Sequence, residues 1–378
     1  MISDLLHTQI QELKQQGLYR SRILADEMTG CTNFSSNDYL SLRNDVRIKC
    51  AFEKGYARYP AGSGASMAVC GYNAIHRELE QAVASLLGVD NALLFSSGYA
   101  ANIGVVALLA RLNCHLLIDK AMHASVYDGI KLANPSYTRY LHTNLVDLER
   151  KLYADVKNPV IMTESIFSMS GQQPSLTYMS LLCKVHKAVC IIDEAHSFGV
   201  LGPGGAGAAA QSQCSQDMIP LRTITFGKAM GAQGALVAGR ADWIDGLFQT
   251  ARSHIYSTGI GPAMAYGLLE SLSIIVEADD RRKKLFELVE YFRTAIKNSP
   301  LKWRDSTSPI QQLQLGCPHK ALAWVARLQE RGIYCMAMRE PTVSRSNTGL
   351  RVVLNAHHEP EDIDNLLTQV HQFYDSEY

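Results

Sequence analysis

The sequence has no paired-cysteine motif, no long apolar run and no excess of charge of either sign. Its nine cysteines are scattered, and Cys190 and Cys335 lie inside apolar runs, which favours reduced thiols in a cytoplasmic compartment. Because 36 basic residues balance 36 acidic ones, nothing predicts a nucleic-acid or membrane-surface partner. The most apolar stretch, 103–118, contains Arg111 and Asn113, and the N-terminus lacks a signal-peptide profile. We therefore expect neither a membrane span nor a leader.

An ATPase signature is also lacking. Asp193-Glu194-Ala195-His196 spells the DEAH box of helicase-type ATPases, but that interpretation requires an earlier G-x-x-x-x-G-K-[ST] loop. The only similar pair, Gly227-Lys228, comes later and is followed by alanine. A lone G-x-G-x-x-G match begins at Gly202, does not open a helix directly from a strand, and contains a proline. We interpret 202–207 as a flexible loop, and no metal site is expected.

The order of strand-like and helix-like segments predicts an α/β fold. Short apolar runs alternate with helical patterns, which is typical of a parallel sheet. Strands are expected at 92–95, 116–118, 159–163, 189–192, 223–226 and 235–238, with a small α+β domain from about residue 285 that contains helices at 285–296, 321–331 and 363–373 and strands at 333–338 and 350–354. We predict an N-terminal arm over 1–35, whose amphipathic helix docks on another surface, a large domain over 36–280 and a small domain over 281–378.

Three chemically active side chains follow two of the expected strands. Asp193 and His196 come after the apolar run 189–192, and Lys228 follows the run 223–226. Ligands of open α/β sheets lie beyond the carboxyl ends of the strands, so we expect all three at one edge. An amine, a carboxylate and an imidazole together suit pyridoxal phosphate (PLP): the amine forms the Schiff base and the acid partners the ring nitrogen. Taken alone, Lys228 between glycines is more typical of a solvated loop.

A second segment has the features of a phosphate seat. Residues 92–95 predict a strand, Ser97-Gly98-Tyr99 a turn, and the apolar residues that follow a helix. Free backbone N–H groups and the helix dipole converge at such a turn and favour a phosphate. A plain strand–helix turn would carry the same residues, and this segment alone does not distinguish the two.

Several motifs in this order resemble the α-oxoamine synthases, fold-type I PLP enzymes that condense an amino acid with an acyl thioester. The motifs are Phe34-Ser35-Ser36-Asn37-Asp38-Tyr39-Leu40, Ser97-Gly98-Tyr99, His123-Ala124-Ser125, Thr163-Glu164-Ser165-Ile166-Phe167-Ser168-Met169, Asp193-Glu194-Ala195-His196, Thr225-Phe226-Gly227-Lys228, Tyr256-Ser257-Thr258 and Pro341-Thr342-Val343. The resemblance runs nearly from end to end. It implies an aminotransferase-like fold with a mostly parallel sheet in the large domain, and a homodimer with sites at the subunit interface.

The resemblance also implies a role for each matching residue. Lys228, His123, Asp193 and His196 would be catalytic: the lysine as Schiff base and proton carrier, His123 stacked on the cofactor ring, Asp193 on the ring nitrogen and His196 on the ring oxygen. Gly98, Tyr99, Ser168, Thr225 and Thr258 would complete the cofactor site, Thr258 by reaching the phosphate bound to the partner subunit, and Arg351, Asn37, Thr342 and Arg20 would bind substrate. Arg22 could replace Arg20 as the arginine of the arm; Arg20 is the preferred candidate.

Within the family, the first motif, Gly71-Tyr72 and residues 338–357 most resemble the branch that serves biotin biosynthesis. That resemblance implies decarboxylative condensation of L-alanine with a pimeloyl thioester carried by acyl-carrier protein or coenzyme A. The loop at Met67-Ala68 and the segment 170–172 depart from the family pattern, which leaves the acyl chain open. The alternatives are a sister enzyme using glycine, serine or another thioester, an aminotransferase, and a binding protein that kept the fold.

Overall fold

The computed structural model describes residues 1–154 and 156–376. In this part of the chain the helices are α1 (Ile2–Gln15), α2 (Val46–Arg58), α3 (Ala74–Leu87), α4 (Gly98–Arg111), α5 (Ala124–Ala133), α6 (Leu145–Leu152), α7 (Leu176–His186), α8 (Ala208–Gln211), α9 (Ala241–Thr250), α10 (Arg252–Ile255), α11 (Pro262–Val276), α12 (Asp279–Ile296), α13 (Pro318–Glu330) and α14 (Pro360–Asp375). The strands are β1 (Thr32–Asn33), β2 (Asn91–Phe95), β3 (His115–Asp119), β4 (Ser136–Tyr140), β5 (Pro159–Glu164), β6 (Val189–Asp193), β7 (Leu221–Thr225), β8 (Ala235–Gly239), β9 (Ile310–Gln314), β10 (Ile333–Tyr334), β11 (Met336–Met338) and β12 (Gly349–Val353). None of these helices is long and apolar enough to cross a membrane.

Contacts divide the chain into two units. The first comprises 1–39, 169–172 and 283–378, and the second comprises 40–168 and 173–282. The second unit is built on a seven-stranded sheet with the order β2-β8-β7-β6-β5-β3-β4. Only β8 runs antiparallel to its neighbours within that sheet, so the mostly parallel α/β sheet expected from the sequence is confirmed. The division at residues 35 and 280 remains a prediction.

The core of the second unit explains why the apolar runs become strands. Side chains of α4 such as Val105 and Leu109 are fully buried against Ile118 of β3, Val126 of α5 and Met162 of β5. Burying one such side chain stabilises the fold by roughly 1.5–3 kcal/mol. Runs of this length that are apolar on both faces are stable only inside a covered parallel sheet, which places their carboxyl ends along one edge.

The first unit contains two smaller sheets. Strands β11, β12 and β9 form an antiparallel sheet, and β1 pairs with β10 in parallel. Sequence patterns did not predict β9 or β4. The strand β9 reads Ile-Gln-Gln-Leu-Gln, yet Gln311 and Gln312 are buried with their side chains hydrogen-bonded, so its polarity concealed it. The strand β4 lies at the sheet edge, where only Tyr140 is buried.

The glycine-rich segment 202–207, expected to be a flexible loop, forms a hydrogen-bonded turn in which residues 205–207 are buried and Pro203 is exposed. Its backbone exchanges hydrogen bonds with the preceding turn, from Gly199 N to Gly205 O and from Gly207 N to Leu201 O (both 2.7 Å). A Cβ at Gly207 would lie 2.8 Å from the carboxylate of Glu194. The segment encloses the ion pair between Glu194 and Arg222, and glycine is needed because the backbone passes so close to it.

Candidate active site

A cavity of about 190 Å³ opens at the carboxyl edge of the large sheet. It is lined by Gly98, Tyr99, Asn102, His123, Glu164, Asp193, Ala195, His196, Thr225 and Lys228. Three come from the first turns of α4 and one immediately precedes α5. The others are the last residues of β5, β6 and β7 or follow β6 and β7 closely. Because neighbouring parallel strands end together, residues far apart in the sequence meet here. Seven of the nine residues assigned to the cofactor from the sequence line this cavity.

Lys228 lies in a tight turn directly after β7. The turn is closed by hydrogen bonds from Gly231 N to Lys228 O (2.8 Å) and from Ala232 N to Phe226 O (2.9 Å). Gly231 has φ +63°, and a Cβ there would lie 2.6 Å from the backbone nitrogen of Arg43. The two glycines of the motif therefore differ: Gly231 permits close packing of the turn, whereas a Cβ at Gly227 would lie at an ordinary contact distance of 3.6 Å from Ala232 O.

The start of α4 has the backbone geometry of a phosphate seat. Ser97 caps the helix by accepting a hydrogen bond from Ala100 N at 3.2 Å. A Cβ on Gly98 would lie only 2.5 Å from Cγ2 of Thr225, so glycine is what lets the helix start approach the end of β7. Backbone N–H groups at a helix N-terminus favour an anion, and the Thr225 hydroxyl lies at the same edge of the cavity.

Asp193 is held by two donors. Its Oδ1 accepts from the backbone N–H of Ala195 at 2.9 Å, and its Oδ2 accepts from Nδ2 of Asn102 at 2.8 Å. Sequence reasoning missed Asn102, although a single amide inside an apolar helix that is polar nowhere else on its buried face was a usable signal. Buried amides need partners, and the partner here is the carboxylate at the end of β6.

His123 caps the N-terminus of α5. Its Nδ1 lies 3.3 Å from the backbone nitrogen of Ser125 and 2.8 Å from the Ser125 hydroxyl. Burial lowers the pKa of His123; the negative charge of Asp193 opposes this effect, and the positive charge of Lys228 adds to it. The ring is edge-on to Tyr99, with centroids 6.3 Å apart, and the hydroxyl of Tyr99 donates to Asp128.

Glu164 is a second acid in the cavity, and sequence reasoning assigned it no function. It is 2 % exposed, pairs in register with Asp193 across β5 and β6, and its Oε2 accepts from Ser168 N at 2.9 Å. Its Oε1 has no hydrogen-bond partner among the described residues. Burial, together with the charge of Asp193, raises the pKa of Glu164 to about 8. The Glu164 carboxyl therefore favours its protonated form near neutral pH.

Two residues assigned to the cofactor do not line this cavity. Ser168 is not among the lining residues, but its backbone N–H donates to Glu164, which is. Thr258 lines a separate, much smaller cavity with Ser257, Gly259 and His254. The sequence assigned Thr258 to the phosphate bound to a partner subunit, so its placement outside this chain's own cavity leaves that prediction open.

The four residues assigned to substrate all belong to the first unit, where they form two hydrogen-bonded pairs. Arg20 donates to the hydroxyl of Thr342 at 3.1 Å, and Arg351 donates to Oδ1 of Asn37 at 2.9 Å. Arg351 is buried on β12, whereas Arg22 is exposed. A larger cavity of about 590 Å³ in the same unit, between the end of α12 and the segment 299–306, contains none of these residues.

The cavity in the second unit fits PLP. This cofactor uses groups that are all present here: an amine, a carboxylate fixed by two donors, two imidazoles and a helix N-terminus that begins at a glycine. The unpartnered Oε1 of Glu164, a residue that lines this cavity, is a buried polar atom available to a polar group bound there.

Comparisons with known proteins agree with this chemistry. Residues 29–370 match the family model for aminotransferase class I and II. The chain is 36% identical to an 8-amino-7-oxononanoate synthase of Pseudomonas syringae pv. syringae, over 98% of this chain and 96% of that protein. It is 39% identical to one from Stenotrophomonas maltophilia, over 97% and 92% respectively.

Solved structures show the same fold. The 8-amino-7-oxononanoate synthase of Francisella tularensis superposes with a TM-score of 0.82 at 29% identity, covering 92% of this chain and 99% of that one. A serine palmitoyltransferase of S. paucimobilis, solved with a PLP–myriocin aldimine, gives a TM-score of 0.90 at 24% identity, covering 98% and 96%, and supports the fold alone. The aminotransferase-like fold implied by the sequence motifs is confirmed. This chain belongs to the class I and II aminotransferase family, in which its similar relatives include the 8-amino-7-oxononanoate synthases.

Proposed function

We propose that this protein is a PLP-dependent acyltransferase of biotin biosynthesis. It condenses L-alanine with a pimeloyl thioester and releases 8-amino-7-oxononanoate, CO₂ and the free thiol. The observation that carries the proposal is the meeting of Lys228, Asp193, His123 and His196 in one cavity, in a chain 36–39% identical to 8-amino-7-oxononanoate synthases along nearly its whole length.

Some residues of the cavity bind and polarise the cofactor, and others transfer protons. Bound PLP supplies an electron sink for negative charge at the α-carbon of the amino acid. Asp193, held by Asn102 and Ala195 N–H, would keep a proton on the ring nitrogen. His196 would donate a hydrogen bond to the ring oxygen, and the first turn of α4 with Thr225 would hold the phosphate; all of these residues line the cavity.

Lys228 carries the proton at the reacting carbon. Its amine removes the α-proton of alanine, the α-carbon bonds to the thioester carbonyl, and the thiol leaves. After the original carboxylate departs as CO₂, Lys228 returns a proton to the same carbon. His123, whose pKa is lowered by partial desolvation, stacks against the reacting system and donates a hydrogen bond to the developing oxygen charge.

Substrate roles are proposed for the residue pairs of the first unit. Arg351, whose guanidinium is held by Asn37, binds the carboxylate of the amino acid through its planar fork. Arg20 and Thr342, which contact each other, bind the acyl partner. We further propose a cytoplasmic homodimer in which Thr258 reaches the partner subunit's phosphate, with acyl-carrier protein or coenzyme A as the carrier.

Product analysis tests the function. Wild-type protein loaded with PLP should convert L-alanine and a pimeloyl thioester to the amino ketone, with CO₂ and free thiol in equal amounts. Lys228→Ala should abolish turnover, while Lys184→Ala, a surface lysine of α7, should leave it unchanged. Turnover of glycine or serine in place of alanine would assign a sister reaction, and release of a keto acid without CO₂ would assign an aminotransferase.

A further inference from the structure

A continuous hydrogen-bond chain joins His123 to Asp193 through two residues with no assigned function. Nδ1 of His123 lies 2.8 Å from the Ser125 hydroxyl, which accepts from Nδ2 of Asn102 at 2.9 Å. The same Nδ2 donates its second hydrogen to Oδ2 of Asp193 at 2.8 Å. Ser125 is fully buried and Asn102 is 4 % exposed, so bulk water does not compete for these contacts.

The hydrogen atoms of this hydrogen-bond chain can be arranged in one way only. Oδ2 of Asp193 is an acceptor, so Nδ2 of Asn102 must face it, and its other hydrogen goes to the Ser125 oxygen. The Ser125 hydroxyl then has its own hydrogen to donate, and Nδ1 of His123 is its neighbour. The backbone N–H of Ser125 also points at Nδ1, as the helix cap requires. Nδ1 is therefore an acceptor, and a neutral ring carries its proton on Nε2.

We propose that Asn102 and Ser125 are positioning residues that fix His123 as the Nε2–H tautomer and couple its orientation to that of Asp193. Neither residue touches the reacting atoms. The tautomer follows from contacts within this unit alone, whereas its catalytic meaning rests on the proposed function. The Asn102 amide thus orients both Asp193, proposed to contact the nitrogen of the PLP ring, and His123, proposed to stack on its face.

The consequence is a neutral hydrogen-bond donor inside the cavity. Nε2 of His123 has no protein partner among the described residues, and the ring lines the cavity. Charged or titratable groups that face it are Asp193, Lys228 and Tyr99. In this tautomer the Nε2–H donor persists as pH rises above the pKa of the imidazolium, because deprotonation takes the proton from Nδ1. The opposite tautomer would present a lone pair to the substrate oxygen and repel it.

Nitrogen NMR of the PLP-loaded protein with ¹⁵N-labelled histidine measures the tautomer directly. The chain has 12 histidines, and the His123 signals are those missing in His123→Asn. We expect Nδ1 at the position of an unprotonated nitrogen and Nε2 at that of a protonated one, unchanged from neutral to alkaline pH. A proton on Nδ1 in the wild-type protein would overturn the proposal, whether or not the protein turns over alanine.

Substitutions of Ser125 test whether the hydrogen-bond chain fixes the tautomer. Ser125→Ala should shift the Nδ1 and Nε2 signals toward a mixture of tautomers and lower kcat about tenfold, the effect of one lost hydrogen bond, with KM for the amino acid little changed. Ser125→Thr keeps the hydroxyl and should restore the wild-type signals, and Ser273→Ala, a surface serine on α11, should change nothing. Wild-type signals in Ser125→Ala would contradict the proposal. If that variant does not fold, the wild-type spectrum still decides the tautomer.

Discussion

At Gly98 the chain has no room for a side chain. The Cβ of an alanine would lie 2.5 Å from Cγ2 of Thr225, so the start of α4 would have to move away from the end of β7. We expect Gly98→Ala to weaken PLP binding at least tenfold, since both elements are proposed to hold the phosphate. Titration of the apoprotein with PLP, followed by absorbance, measures the change. Gly62→Ala, where a Cβ meets nothing within 4 Å, is the matched control and should bind normally.

Glu164 makes the stability depend on pH. Its pKa is about 8 in the folded chain and near its ordinary value of 4.5 when unfolded. Between those values the folded state binds more protons, so the free energy of unfolding falls as pH rises from about 4.5 to about 8. The loss attributable to this group is on the order of a few kcal/mol.

Glu164→Gln should remove that slope while preserving shape. Denaturant midpoints of the variant and the wild type, measured across this pH window, should converge at low pH and favour the variant at high pH. Glu12→Gln, on the exposed helix α1, should follow the wild type throughout. Parallel curves for Glu164→Gln and wild type would show that Glu164 ionises normally.

Sequence motifs predicted which strand-end residues line the cavity better than they predicted the residues that contact those side chains. Lys228, Asp193 and His196 stand at strand ends, where topology alone brings them together. No local sequence pattern marks Asn102 or Glu164, because each is paired with Asp193, a residue far from it in the sequence. Such partners are visible only once the packing of α4 against β6 is known.

At the scale of elements, a buried ion pair ties four segments together. Arg222 on β7 donates to Glu194 at 2.5 Å, to Ala206 O at 2.5 Å and to Leu87 O at 3.3 Å. Glu194 also accepts from Ala209 N at 2.9 Å. The pair thus joins the loop after β6, strand β7, the end of α3 and the glycine-rich turn that the sequence pattern presented as a flexible loop.

Arg222→Met should destabilise the protein by about 3–5 kcal/mol, because it leaves Glu194 buried and unpaired. Replacing both partners, Arg222→Met with Glu194→Leu, should recover much of this loss, since no uncompensated charge remains. The surface pair of Arg240 gives the comparison: Arg240→Met should cost less than about 1 kcal/mol. Equal losses for the two single variants, by denaturant unfolding, would refute this account of the pair.

Elements were predictable where their pattern was apolar. The central strands and the long amphipathic helices were expected within a few residues of where they lie. The strands β4 and β9 were not, because an edge strand and a glutamine-rich strand lack the alternation that marks a strand. The buried glutamines of β9 donate side-chain hydrogen bonds, such as Gln311 Nε2 to Ser308 O at 2.7 Å, which no local pattern reveals.

At the scale of the whole molecule, we expect the exposed apolar face of α1 to pack against a second copy of the chain. Ile2, Leu5 and Leu6 are each more than half exposed on one helix. We expect the protein to elute as a homodimer with twice the 41.7 kDa of one chain. Light scattering with dilution should show that Leu5→Ser with Leu6→Ser raises the dimer dissociation constant, because it removes apolar area from the interface. A monomer at every concentration would contradict the dimer, and an unchanged constant would exclude α1 from the interface.

One absorption experiment tests most directly whether Lys228 binds PLP and whether the bound cofactor reacts with L-alanine. Purified protein reconstituted with PLP should be yellow, its band should shift on addition of L-alanine, and Lys228→Ala should lack the resting band. Glycine and serine should produce smaller shifts at equal concentration. A protein that stays colourless with PLP, or a Lys228→Ala variant with the wild-type spectrum, would contradict the account.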